Sequence, residues 1–173
     1  LFRPPDAKLM RKGNGQPAKL SYGGHALMEN RSGLCVDLLI TDATLAEHQA
    51  ARQLLTRARR RKIHPKTLGA DKGYHVKDFV QHLREHKIKP HIARIDGRKT
   101  PGLDGRTSCT EGYKVSQRKR KRIEEIFGWL KTVGGMRKTR FIGEARTQIA
   151  AYLSAAAYNL LRIAKLQSAG SAT

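Results

Sequence analysis

Four short apolar runs, interleaved with helical patterns, set the strongest limit on how this chain folds. KLSYGGHALM (19–28) and GLCVDLLI (33–40) are separated only by ENRS, a spacing that predicts a β-hairpin. TLGA (67–70) and IKPHIA (88–93) are too short for helices and read as strands. Pro90 in the second suits a sheet edge, because it has no N–H to give to a ladder. Elsewhere the apolar period lengthens to that of a helix. A helix over 43–60 carries Leu45, Ala51, Leu54, Leu55 and Ala58 as its stripe, and one over 76–86 carries Val76, Phe79, Val80 and Leu83. Two more close the chain, over 116–131 and 144–166. The last presents Ile149, Leu153, Ala156, Leu160 and Ile163, expected as its core face, with alanines suited to close packing. Residues 1–17, with Pro4, Pro5, Gly13, Gly15 and Pro17, read as an irregular leading segment, and the Gly-rich 94–115 as a loop. A disordered tail is expected over 167–173. Strands alternating with helices in this order predict a mixed α/β domain over 18–166.

Charge narrows the function. The 173 residues are 39% hydrophobic, enough for one domain with a real core. They carry 35 Lys+Arg against 14 Asp+Glu, a net +21 that favours a polyanionic partner, usually nucleic acid. A membrane surface is the competing polyanion. No apolar run approaches the roughly 18 residues of a transmembrane helix, and no signal peptide opens the chain. The expectation is a soluble, cytoplasmic, nucleoid-associated protein. Cys35 and Cys109 have neither metal-ligand spacing nor a disulfide framework. Three basic runs, RARRRK (57–62), RKRKR (118–122) and RKTR (137–140), together favour phosphate contacts, where one alone would be a solvated face. Few aromatics interleave them, so stacking on single strands is not expected to dominate.

Asp71 is the acid that stands out. It follows TLGA, at the carboxyl end of an expected strand, where α/β sheets gather ligand sites. The plain alternative is a turn or helix-capping residue. On a helix over 116–131, at about 100° per residue, Ile123, Ile126, Phe127 and Leu130 share an apolar face. Arg120, Glu124 and Lys131 run along one border of it, while Glu125 points toward solvent. A carboxylate between two cations can hold a metal while the cations grip phosphates; an ordinary Arg120–Glu124 pair is the plain alternative. HLREH (82–86) fits the inverted zinc-protease pattern H-x-x-E-H. Its His82, Glu85 and His86 lie off the apolar face with no evident downstream ligand, so it reads as a solvated helix face.

ADKGYHVKDF followed by RKRIEEIFGWLKTVGGMRKTRF resembles the catalytic part of insertion-sequence DDE transposases of the IS4/IS5 type. AKLSYGGHALMENRSGLCVD and AAAYNLLRI extend the resemblance over nearly the whole chain, and Arg120, Glu124 and Lys131 meet the R-x3-E-x6-K spacing of that group. The resemblance implies a ribonuclease-H-like mixed sheet flanked by helices. It implies DNA transposition, with strand cleavage and transfer by Asp, Asp and Glu carboxylates on two Mg²⁺ ions. By resemblance Asp71 is the second Asp and Glu124 the Glu, both catalytic and metal-binding. Arg120 and Lys131 are then phosphate-positioning residues, with Lys72, Arg118, Lys119 and Arg122 also on DNA. Hard oxygen ligands suit Mg²⁺, and clustered carboxylates repel unless cations neutralise them.

Two departures stand beside the match. Gln117 occupies the place of the group's usual tyrosine. The group's first Asp lies on a strand upstream of the region aligned with Leu1, and neither Asp6 nor Asp37 takes its place. The chain also begins with Leu1 rather than methionine and lacks the group's N-terminal DNA-recognition region. The expectation is therefore a C-terminal, truncated portion whose sheet lacks its first strand and which is inactive alone. Its expected partners are double-stranded DNA (transposon ends and target) and a second copy or an intact transposase. The alternative is a non-catalytic basic DNA-binding remnant that inhibits an intact transposase. A structural RNA-binding protein explains the charge but not the spaced acids.

Overall fold

The computed structural model describes residues 6–11 and 13–170, so Pro4, Pro5 and the last three positions of the expected tail lie outside the described residues. The elements are β1 (Lys8–Met10), β2 (Lys19–Met28), β3 (Cys35–Asp42), α1 (Glu47–Arg60), β4 (Thr67–Ala70), a 3-10 turn (Lys72–Tyr74), α2 (Lys77–Glu85), β5 (Lys89–Ile92), α3 (Gly105–Ser108), α4 (Glu111–Lys119), a second 3-10 turn (Arg120–Arg122), α5 (Ile123–Thr132) and α6 (Glu144–Gly170). The chain is mixed α/β. It divides into two compact units, Leu1–Ala46 with Ile123–Thr173, and Glu47–Arg122.

In the first unit β2 and β3 form the expected antiparallel hairpin, from Tyr22 opposite Asp42 to Met28 opposite Cys35. Glu29 organises its connection. Burial pushes the Glu29 carboxyl up, but hydrogen bonds donated by Ser32 and Arg31 outweigh this and hold it at about 2. Gly33, at φ 75°, accepts the left-handed conformation the turn requires. The leading segment is not wholly irregular, because Lys8–Met10 pairs antiparallel with Ser21–Lys19 as β1. Nothing local signals this strand; its ladder partners, Ser21, Leu20 and Lys19, lie on β2.

Helix α6 shows why the remaining edge of β3 is closed. Gln148 accepts from the Ile40 N–H and donates to the Leu38 carbonyl, both at 2.8 Å. Asn159 accepts from the Cys35 N–H at 2.8 Å and donates to the Cys35 carbonyl at 2.9 Å. The two amides are eleven residues apart, three helical turns, and so share a face. Between them Ala151 and Ala155 are buried, small enough to bring α6 close to the strand, and they join Cys35, Leu38, Ile126, Leu130 and Tyr158 in the core. Trp129 meets Tyr158 edge-on at 5.9 Å. The expected core stripe of α6 is therefore corrected: Ile149 is 61% exposed, Leu153 and Leu160 69%, and Ile163 40%. The amide face meets the strand edge, whose buried N–H and C=O groups would otherwise go unpaired at about 1–3 kcal/mol each. The helix also runs past residue 166 to Gly170, so the first part of the expected tail is helical.

In the second unit β4 and β5 run parallel, with Thr67 opposite Lys89 and Ala70 opposite Ile92. A parallel pair needs a crossover, and α2 supplies it, burying Phe79, Val80 and Leu83 against Leu55 of α1, Ile88, Ile92 and Leu103. The expected α1 stripe holds at Leu54, Leu55 and Ala58, with Ala50 buried and the helix starting only at Glu47. The expected loop over 94–115 holds to Asp104, and two short helices occupy its second half. Asp104 caps α3 by accepting from the Thr107 N–H, and Thr110 caps α4 by accepting from the Tyr113 N–H. Capping side chains thus override the Gly-rich composition. The expected helix over 116–131 is interrupted, since Arg120–Arg122 turn as 3-10 between α4 and α5. Arg120 lies in that turn, while Glu124 and Lys131 lie in α5.

If the amides of α6 choose its packed face, Gln148→Ala should lower unfolding stability in urea by about 1–3 kcal/mol, the cost of leaving buried polar groups unpaired. Ile149→Ser, its neighbour on the exposed side, should stay within about 0.5 kcal/mol. The opposite ranking would place the apolar stripe in the core.

Candidate functional site

Strand β4 ends at Ala70, and Asp71 turns the chain out of it. Its carboxylate accepts from the Gly73 N–H at 2.9 Å, capping the 3-10 turn that begins at Lys72. The turn role foreseen for Asp71 is therefore real, and it fixes the direction of one carboxylate oxygen. Both Asp71 and Lys72 are exposed. Two residues before Asp71, α4 packs against the strand at Gly69: a Cβ there would lie 3.4 Å from the Ser116 carbonyl and 3.6 Å from the Arg120 Cβ, ordinary van der Waals contact. Arg120 consequently sits against the strand that ends in Asp71.

Gln117 positions that arginine. It donates to the His91 carbonyl of β5 at 2.5 Å and accepts from Arg120 Nε at 2.9 Å. Tyr113 of the same helix donates to the Ile92 carbonyl at 2.9 Å, so α4 is tied to β5 by side chains at both points. The residue that departs from the resembled pattern thus has a definite task, orienting the guanidinium of Arg120.

Sequence reasoning missed Glu47. It opens α1, and its carboxylate and that of Asp71 flank Gly73, where a Cβ would lie 3.3 Å from Glu47 Oε2 and 3.2 Å from Asp71 Oδ1. Desolvation, then the charge of Asp71, pushes the Glu47 carboxyl above its ordinary value. Burial, with the charges of Glu47 and Asp71, also raises the Tyr74 hydroxyl. Two carboxylates in one small region repel unless one takes up a proton or a cation joins them, and carboxylate oxygens are the donors that a hard divalent ion takes. The only signal in the sequence was an acid at a helix start, where the helix dipole already explains it.

The other expected residues divide between the units. Arg118 and Lys119 end α4, with Arg118 exposed and 4.0 Å from Glu111. Arg122 lies in the 3-10 turn. Glu124 and Lys131 belong to the first unit, in the first and last turns of α5, where Ile126 and Leu130 are the buried residues. Glu124 and Glu125 are both exposed, so burial alone does not separate them. RKTR lines a cleft of about 980 Å³ with Arg146, Ile149 and Leu153. RARRRK ends α1, where cations complement the helix dipole. In the second unit Arg84, Lys89 and Arg106 line a further basic cleft of about 640 Å³ with His91.

A family model of the transposase DDE domain matches residues 4–160. The chain belongs to that family. Comparison with curated proteins and with solved structures returns no match. Transposase domains of this family act in DNA transposition and generally use divalent metal ions, in keeping with the donor set beside Gly73. Among the described residues no helix is long and apolar enough to cross a membrane.

Because the Glu47 carboxyl is raised by folding, the stability it contributes is full below the ordinary carboxylate pKa and is lost as pH rises through its raised value. Glu47→Gln should therefore melt above the parent at pH 7, with the gap closing below about pH 4. Thermal melts across that range read it out. A gap independent of pH would tie the effect to packing rather than charge.

Proposed function

We propose that this transposase domain binds duplex DNA and holds Mg²⁺ through Asp71 and Glu124 as two members of its catalytic acid set, on a ribonuclease-H-like fold. The observation that carries the reading is the setting of Asp71. It leaves the end of parallel strand β4 with its carboxylate oriented by Gly73, a second carboxylate from Glu47 beside it, and Arg120 held against the same strand by Gln117. A ligand at the end of a strand, supported by fixed neighbours, is what displacement at phosphorus requires of a protein. The chemistry that divalent ions supply when bound is activation of the attacking oxygen and stabilisation of the leaving one. Arg120 and Lys131 position phosphates. Lys72, Arg118, Lys119 and Arg122 add backbone contacts, which fix register without reading sequence.

A second reading, a DNA-binding protein without catalysis, draws on the remaining acids of the leading half. Asp37 is only 4% exposed on β3, and its Oδ1 accepts from the neighbouring Leu38 N–H. Asp6 accepts from the Glu144 N–H at the start of α6. Both acids serve the architecture of the first unit, which leaves the third member of an Asp-Asp-Glu set unassigned.

Three measurements test the proposal; duplex binding is common to both readings, and the metal titrations separate them. Duplex binding should weaken steeply with salt, by about 10³–10⁵ between 50 and 200 mM for six to ten phosphate contacts, with scrambled duplexes bound as well as any other. In Mn²⁺ titrations Asp71→Asn and Glu124→Gln should each lose binding, while Glu125→Gln should be nearly silent. Equal loss in the two glutamate variants would remove Glu124 from the site. Mg²⁺-dependent nicking by the 173-residue chain is expected to be absent, and nicking abolished by Asp71→Asn would eliminate the second reading.

A further inference from the structure

The HLREH stretch is not absorbed by the function above, and the structure gives it a geometry the helical pattern did not. His82, Glu85 and His86 each offer a ligand atom, and these atoms all lie within 4.8 Å of one another. We propose that these three side chains, on the last turn of α2 and its C-terminal cap, form a site for one divalent transition-metal ion of the zinc class, separate from the carboxylates at Asp71.

Spacing is the first support. Positions i, i+3 and i+4 lie on one helical face, so a single turn presents two imidazoles and a carboxylate together. The turn is well anchored, because Phe79, Val80 and Leu83 on the adjoining face of α2 are fully buried at 0% exposure. Zinc–ligand distances of about 2 Å require the three atoms to close further. Side-chain rotation supplies this, since Glu85 is exposed and His82 only half-buried.

The hydrogen bonds already made leave the right atoms available. His86 Nδ1 lies 2.8 Å from the His82 carbonyl. A carbonyl only accepts, so Nδ1 carries the proton and Nε2 keeps the lone pair that a metal needs. This is the usual outer-shell device that fixes a histidine ligand's tautomer and ring orientation. Gln81 Nε2 donates to Glu85 Oε1 at 2.9 Å, steadying the carboxylate and leaving Oε2 for the ion. The two rings lie with centroids 4.2 Å apart.

Charges around the site oppose one another, and the ligand type decides the class of ion. The positive charges of Arg52 and Arg59 on α1 bear on His82 and oppose a dication. Glu85 and the partial negative charge of the helix C-terminus work the other way. Imidazole nitrogens suit zinc and its transition-metal neighbours but not Mg²⁺, which prefers oxygen and keeps its water. The site is therefore selective by ligand type. A bound ion would clip the end of α2 where the chain reverses through Lys87, at φ 59°, into β5. It would hold the crossover whose other strand, β4, ends at Asp71.

The test uses the full chain, with zinc chloride as the probe, read by calorimetric titration and by melting temperature. Zn²⁺ should bind and raise the melting temperature of the parent and of Asp71→Asn alike, and in Asp71→Asn, where the carboxylate site is removed, Mg²⁺ should not substitute. His82→Gln and His86→Gln should each weaken Zn²⁺ binding by more than the about 10–100-fold typical of losing an outer-shell partner. Both should lose the thermal gain while keeping the parent's far-ultraviolet circular dichroism. Co²⁺ added to the parent should selectively broaden the ring signals of His82 and His86, which keeps the proposal testable if a variant fails to fold. Zinc affinity unchanged in both histidine variants, thermal gain lost in Asp71→Asn, or broadening centred on other histidines would each overturn the site.

Discussion

Both small sheets of this chain depend on helix side chains to finish their hydrogen bonding. A two- or three-stranded sheet has nearly as many edge groups as paired ones, and a buried unpaired N–H or C=O costs about 1–3 kcal/mol. In the first unit Gln148 and Asn159 of α6 meet the open side of β3 at Ile40, Leu38 and Cys35. In the second, Tyr113 and Gln117 of α4 meet the carbonyls of Ile92 and His91 on β5. These polar contacts set the rotation of each helix about its axis. Hydrophobic packing then fills the space they define, with alanines on α6 and Ser116 against Gly69 on α4.

The candidate site inherits its geometry from the second of these contacts. Because Gln117 ties α4 to β5, its other end can hold Arg120, which rests against β4 at Gly69, two residues before Asp71. The same strand end carries the Gly73 turn, which binds one oxygen of Asp71 and leaves room for Glu47 beside it. Turn residue and ligand are thus compatible roles for Asp71. The hydrogen bond that shapes the turn also aims the carboxylate.

Much of this was legible in the chain itself. The hairpin of 19–28 with 33–40, the strand TLGA before Asp71 and the buried face of α2 follow from short apolar runs and the helical period, and the structure has them all, the second hairpin strand running over Cys35–Asp42. Family membership was legible too, in motifs that the transposase DDE domain match then supported. What was not legible depended on partners distant in sequence. Strand β1 exists because Lys8–Met10 meets β2. Glu47 joins Asp71 only because α1 returns to the end of β4, and the histidine pair of α2 gained significance from the Nδ1 bond that sets its tautomer.

The sequence by itself determined the mixed α/β class, the strongly basic character, the transposase family and the acid at the end of β4. Those are properties of local period, composition and motif, which do not depend on how distant segments meet. Tertiary structure alone decided which face of α6 is buried. The apolar period of that helix pointed to Ile149, Leu153 and Leu160, yet the open edge of β3 required the amides of Gln148 and Asn159. A strand edge has few ways to satisfy its polar groups, whereas apolar side chains pack without direction and tolerate exposure one by one. Where the two demands conflict, the directional one sets the orientation.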